Sequence, residues 1–228
     1  MNDRILEWSG PALAVLAAAL GLAAAQADGV PIAPFKGALA LVLAAPAYLG
    51  FTRTVQRVGG DRFAPLFDLM FATVLPTLFL LLLVVGSDHL VRGAWSFTAF
   101  AVGLPLALLA ACVPLARGFA RRSEDVEAGR DSLAAAIAPI NAKLWLFACA
   151  LPAYLWLILQ VGRDALPQAC AAAALSIVVS LRAVRVLYED FDDADEMARA
   201  VRLCGIAALI HGVLLVAGLL LADHFPLF

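Results

Sequence analysis

Long apolar runs, interrupted at intervals by short polar stretches, dominate the pattern of this chain. A helix needs about 20 mainly apolar residues to cross the hydrocarbon of a bilayer. Seven runs approach or meet that length: 11–27, 33–51, 63–86, 94–116, 142–161, 165–185 and 203–222. They are continuously apolar and rich in Ala and Leu, without the two-residue alternation of a barrel strand. The pattern predicts an all-α polytopic transmembrane bundle of about seven spans, forming one integral membrane domain over residues 1–228. Prolines 76, 105, 114 and 152 fall inside these runs, where they predict kinks whose freed carbonyls are satisfied by neighbours.

Composition sharpens this picture. The chain is 64% hydrophobic and 15% charged, with a mean hydropathy of +0.93, more apolar surface than a soluble domain of 228 residues can bury. The leading MNDRILEWSGPALAV lacks the basic region and small-residue cleavage site of a signal peptide, so the first run is expected to persist as a span. Cys112, Cys149, Cys170 and Cys204 all lie in or beside apolar runs without a Cys-x-x-Cys pair, and read as small apolar helix residues. A net charge of −2 leaves no basic surplus for phosphate neutralisation, which excludes a nucleic-acid partner.

Charge then sets an orientation. With seven spans, one side receives thirteen of the sixteen Lys and Arg residues, and the other only Lys36, Arg92 and Arg163. Basic residues collect on the cytoplasmic side, so the N-terminus is expected in the cytoplasm of a cell's inner membrane. All three longer polar connections fall on that face: 52–62 with a Gly59-Gly60 turn, 117–143 with room for an amphipathic interface helix, and 182–202. Trp95 marks a boundary on the other side, as interface aromatics do.

The stretch Leu104 to Ile137 carries the densest mix of charges, running LPLALLAACVPLARGFARRSEDVEAGRDSLAAAI. Arg57, Arg62, Arg121, Arg122 and Arg130 there and nearby read either as a basic funnel for an anionic head or as ordinary topology charge. Arg121 and Asp125, four apart on a helix, are expected to pair with each other. Asp192, Asp193, Asp195 and Glu196 read as additional metal carboxylates or, alternatively, as caps for the following helix. His211, inside the last run, reads as a haem or metal ligand or as a satisfied buried histidine.

Three stretches carry a family resemblance. RGFARRSEDVEAGRDSLAA resembles the second acidic motif of the UbiA-type membrane prenyltransferases, particularly the branch that prenylates dihydroxynaphthoate for menaquinone. That motif ends an apolar helix with two Asn, then Arg-Asp, three residues, Asp, three residues, and Gly-Lys-x-Thr-Leu-Ala. Asp125 matches its second Asp, Gly129 its Gly, Arg130 its Lys, Ser132 its Thr and Leu133 its Leu. GDRFAPLFDLMFATVLP resembles the helix after the family's Gly-rich turn, with Asp68 where an acid is usual. LRAVRVLYEDFDDADEMARAVRLCGIAALIHGVLLVAGLLL resembles its final loop and helix. The match is to the last seven of the family's nine spans. The family's first motif, Asn-Asp-x-x-Asp, is absent from the sequence, and in the second Arg121 replaces the first Asp while Arg117 and Gly118 replace the paired Asn.

The resemblance implies Mg²⁺-assisted ionisation of a prenyl diphosphate. Asp125 would be the surviving catalytic or metal ligand, Arg121, Arg130 and Arg57 would hold diphosphate oxygens, and Asp68 would line the substrate site. The departures instead imply a degenerate member that keeps the scaffold and binds membrane lipid or isoprenoid, or serves assembly. An active enzyme completed by a partner membrane subunit is a further expectation. A small transporter or structural subunit is a third.

Overall fold

The computed structural model describes residues 4–59, 69–130, 132–137, 139–189 and 193–221. Among these there is no strand, and the seven long apolar helices form a polytopic bundle. In chain order the helices are α1 (Arg4–Ala27), α2 (Pro34–Gly59), α3 (Leu75–Arg92), α4 (Phe97–Ala120), the short α5 (Arg122–Glu127) and α6 (Leu133–Ala136), α7 (Pro139–Gly162), α8 (Ile177–Glu189) and α9 (Ala194–Leu220). A π-turn, Met70–Val74, leads into α3, and a 3₁₀ segment, Gln168–Ser176, leads into α8.

Helix α4 is the hub. Over its spanning stretch 78% is buried, against 61% for α1 and 11% for α2, so α2 lies at the periphery. Helix α4 packs against α3, α7, α9 and α1. Small residues set the spacing, as is usual where apolar burial alone cannot drive helices together. A Cβ at Gly21 would fall on the Val84 carbonyl oxygen, so α1 meets α3 backbone to side. One at Gly218 would lie 2.8 Å from the Cys170 backbone, so α9 meets the 3₁₀ segment in the same way. Cys112, Cys170 and Cys204 pack in the apolar core, and all four cysteines are free. Trp156 fastens α7 to α4 by donating its indole N–H to the Ala101 carbonyl at 3.0 Å.

The helices outrun the apolar stretches that announced them. Helical hydrogen bonding continues wherever the backbone allows it, whereas hydropathy registers only the hydrocarbon slab. Helix α2 therefore continues to Gly59, α3 to Arg92 and α4 to Ala120, while α9 begins at Ala194. The long acidic loop over 182–202 is consequently mostly α8 and α9. The Asp193 carboxylate caps α9, accepting from the Asp195 and Glu196 backbone N–H groups at 2.8 and 3.2 Å. The expected amphipathic interface helix resolves into the two short helices α5 and α6.

Pro76 accounts for the π-turn. It has no N–H to offer one turn back and its ring crowds the preceding turn. The helix widens just ahead of it, with the Leu75 N–H bonding the Met70 carbonyl five residues earlier.

At one end of the bundle an ion cluster ties three elements together. Asp88, fully buried, receives Arg92 Nε at 3.1 and 3.2 Å and Nη2 at 2.9 Å. The same Nη2 reaches Asp28 at 2.6 Å, and Ser96 and Thr98 donate to Asp28 at 3.3 and 3.1 Å. This clasp joins the end of α1, the end of α3 and the start of α4. It was hidden because Asp88 and Arg92 fall beyond the run 63–86 and read as loop.

Candidate functional site

A cavity of about 430 Å³ opens at the other end, between the N-terminal turns of α1, the C-terminal turns of α2 and α4, the π-turn and the start of α3. Its depth is apolar, with Leu13, Leu80, Val113 and Phe119. Hydroxyls of Ser9, Tyr48, Thr52, Thr73 and Thr77 stud the walls, and Arg117, Arg121 and Asp125 stand at the mouth. Thr52 donates to the Tyr48 carbonyl at 3.0 Å and Thr77 to the Thr73 carbonyl at 2.7 Å, which leaves their lone pairs facing a ligand.

The mouth is built by the way α4 ends. Arg117 lies on its last turn and Arg121 is its C-cap residue, and both line the cavity. Arg117 is half-buried and its Nη2 lies 3.5 Å from Ser9 Oγ; Arg121 is exposed. At Arg121 the backbone leaves the helical region (φ −99°, ψ 6°), and α5 starts again at Arg122. Helix α5 then stops at Gly129, whose φ of +64° suits a residue without a Cβ. The Gly129 N–H bonds the Val126 carbonyl at 3.1 Å and the Arg130 N–H the Asp125 carbonyl at 2.8 Å, the paired closure of a Schellman stop. That reversal brings Arg130 Nε to 2.8 Å from Asp125 Oδ1. Ser132 Oγ caps α6 by accepting the Ala135 N–H at 3.1 Å.

The partner of Asp125 is therefore Arg130, not Arg121 as the four-residue spacing suggested. The Asp125 N–H still bonds the Arg121 carbonyl at 3.0 Å, but the reversal at Gly129 brings Arg130 onto the carboxylate. Of the residues singled out from sequence, Arg121 and Asp125 meet at the cavity, with Arg130 behind Asp125. Arg57 is exposed on the last turn of α2 and does not line the cavity. Asp68, Arg62 and Asp192 lie outside the described residues. Arg122 donates to the Ile137 carbonyl at 3.4 Å, and Glu196 pairs with Arg199 at 3.1 Å. Arg117, Tyr48 and the wall hydroxyls were missed as a group, since only the packing of α1, α2 and α3 against α4 unites them.

Mg²⁺ takes hard oxygen ligands, commonly carboxylates. Among the described lining residues Asp125 is the single carboxylate, and it is already held by Arg130. Among the described residues no three His, Cys, Asp or Glu side chains gather as a metal site requires. These residues do not fit Mg²⁺. Guanidinium groups beside a volume lined by both apolar and polar side chains suit an anion carrying an apolar body, because Arg presents a planar fork to phosphate or carboxylate oxygens.

A second polar centre lies in the bundle interior. Tyr154 Oη lies 3.0 Å from Ser176 Oγ and 2.7 Å from Ser180 Oγ, and His211 Nδ1 lies 3.0 Å from Ser176 Oγ and 3.1 Å from the Ala173 carbonyl oxygen. His211 Nε2 is buried without a hydrogen-bond partner. The histidine is thus half satisfied, where sequence offered either a fully satisfied residue or a ligand.

Comparison with protein-family models, with curated proteins and with solved structures finds no match to this chain.

Proposed function

We propose that this multi-pass membrane protein binds a lipid or isoprenoid whose anionic head sits at Arg117 and Arg121 and whose apolar body enters the cavity. The observation that carries the reading is a cavity of about 430 Å³ lined by apolar side chains and hydroxyls alike, with Arg117, Arg121 and Asp125 among its lining residues. Such volumes accommodate small-molecule ligands. The charge bias of the connections supports a mouth on the cytoplasmic side of an inner membrane. In descent the chain is a degenerate prenyltransferase-like scaffold of the UbiA type, with the helices retained and the carboxylate set for Mg²⁺ lost. It acts by binding or in assembly and not by catalysis.

A second reading is a prenyltransferase completed by a partner membrane subunit that supplies the missing acids. Asp125 favours it, since its carboxylate still lines the cavity. Titration of the nanodisc-reconstituted protein with geranylgeranyl diphosphate and with geranylgeraniol tests both. Binding of the diphosphate that exceeds that of the alcohol, without turnover, is the expected result. Prenyl transfer to an aromatic acceptor that is lost in Asp125→Ala supports the second reading and sinks the first.

A further inference from the structure

We infer that His211 presents a neutral acceptor site in the bundle interior, one that takes the O–H of a single water molecule. The site is separate from the cavity and does not depend on what the cavity binds. It follows from where the protons of the interior centre must lie. His211 is fully buried, and its Nδ1 lies 3.1 Å from the Ala173 carbonyl oxygen. A carbonyl oxygen can only accept, so Nδ1 carries the ring proton. The other tautomer would set two lone pairs against each other there. It would also leave a buried N–H at Nε2 with no acceptor among the described residues, and orphaned buried N–H groups are rarer than under-satisfied acceptors.

The hydroxyls then fall into order. Ser176 donates to the same carbonyl at 2.8 Å. Tyr154 donates to Ser176 at 3.0 Å, and Ser180 donates to Tyr154 at 2.7 Å. Every polar proton of the four side chains is used in this way, and one strong acceptor is left over. It is Nε2, which no group among the described residues bonds. The nitrogen beside Ser176 is therefore a donor, and His211 is no base toward that hydroxyl. Buried polar atoms find a partner almost without exception, and the chemistry of this one narrows the choice. A proton at Nε2 would put an imidazolium where Tyr154 of α7 and Ser176 of the 3₁₀ segment meet the ring, and where Leu16 of α1 and Leu106 of α4 close on the adjoining Gly212. None of these is an anion. A metal ion would need further ligands, and among the described residues no three His, Cys, Asp or Glu side chains gather. A neutral O–H adds no charge and asks for one acceptor. The enclosure of Nε2 suits a guest the size of water, and buried waters serve polar groups that the protein leaves unpaired.

The full chain, labelled with ¹⁵N-histidine in phosphatidylcholine nanodiscs, is measured by nitrogen NMR. His89→Gln and His224→Gln remove the other two histidines and leave the pair of signals from His211. Nδ1 is expected as the protonated nitrogen. Nε2 is expected as an unprotonated nitrogen, shifted from the value of a bare lone pair toward that of a hydrogen-bond acceptor and gaining signal by magnetisation transfer from water. EDTA is expected to change neither signal. Ser176→Ala and Tyr154→Phe are expected to keep the proton on Nδ1, because the Ala173 carbonyl still receives it.

A proton on Nε2, alone or together with one on Nδ1, overturns the acceptor site. An unprotonated Nε2 that keeps the bare shift and gains nothing from water overturns the water. A signal that moves on addition of EDTA makes Nε2 a metal ligand and overturns the inference as well. Migration of the proton to Nε2 in Ser176→Ala shows that the hydroxyl and not the carbonyl sets the tautomer, and overturns the proton order on which the site stands.

Discussion

The two ends of α4 hold two ion clusters of opposite character. At its start, Arg92 is enclosed by Asp88 and Asp28, and Ser96 and Thr98 complete the acceptor positions of Asp28. At its end, Arg117 and Arg121 face a cavity while the nearby carboxylate is spoken for by Arg130. Buried charges satisfied within the chain cross-link elements, and removing one partner strands the other. Cations gathered around an accessible volume that carries little opposing charge favour an anion from outside. In sequence both clusters are a few charged residues where an apolar run gives out. What separates them is that the first is closed around Arg92 and the second borders a cavity.

Breaking the clasp gives the largest expected effect. Arg92→Ala strands the Asp88 carboxylate and is expected to cost about 3–5 kcal/mol, seen as a lowered unfolding midpoint in detergent. At the mouth, Arg121→Glu is expected to leave the unfolding midpoint nearly unchanged, within about 0.5 kcal/mol as for other exposed positions, while abolishing diphosphate binding in a titration. If it instead destabilised the protein as Arg92→Ala does, the two ends would be alike and the contrast would fail.

Smaller effects sharpen the same line. Arg130→Ala removes a partly exposed pair and is expected to cost about 0–1 kcal/mol of stability. It is also expected to weaken anion binding, since the Asp125 charge is then no longer compensated; parallel thermal and binding titrations separate the two. Raising salt is expected to weaken binding at the mouth progressively, because partly exposed charges are screened, while the unfolding midpoint that depends on the clasp shifts little. A midpoint as salt-sensitive as the binding would place the clasp in water.

Much of the fold was legible, because seven apolar runs can be satisfied only as spanning helices. Helix ends were not, and the errors were consequential. Taking the third span to stop at residue 86 put Asp88 and Arg92 in a loop, when they are the last turn of α3 and its anchor. The Arg121–Asp125 pairing failed because the stop at Gly129 folds Arg130 back onto the carboxylate, and only the backbone chemistry of that glycine announces it. Arg121 and Asp125, singled out through the resemblance to an acidic motif, both line the cavity. Arg117 was seen only as a departure from that motif, and Tyr48, Thr73 and Thr77 carry no local signal. The Tyr154, Ser176, Ser180 and His211 centre is likewise spread over α7, the 3₁₀ segment, α8 and α9, and emerges only when those elements pack.

The π-turn before α3 bears on how the cavity could be redesigned. A π-turn holds one residue more than a regular α-helix needs, and each residue advances an α-helix by about 100°. Leu69, before the turn, and Thr73, Thr77 and Leu80, within and after it, all line the cavity. Deleting a single residue between Met70 and Val74 would leave every charge at the mouth in place. It would swing the preceding segment about a quarter-turn around the helix axis, so the fit to an apolar tail could be altered without touching the field that attracts its head.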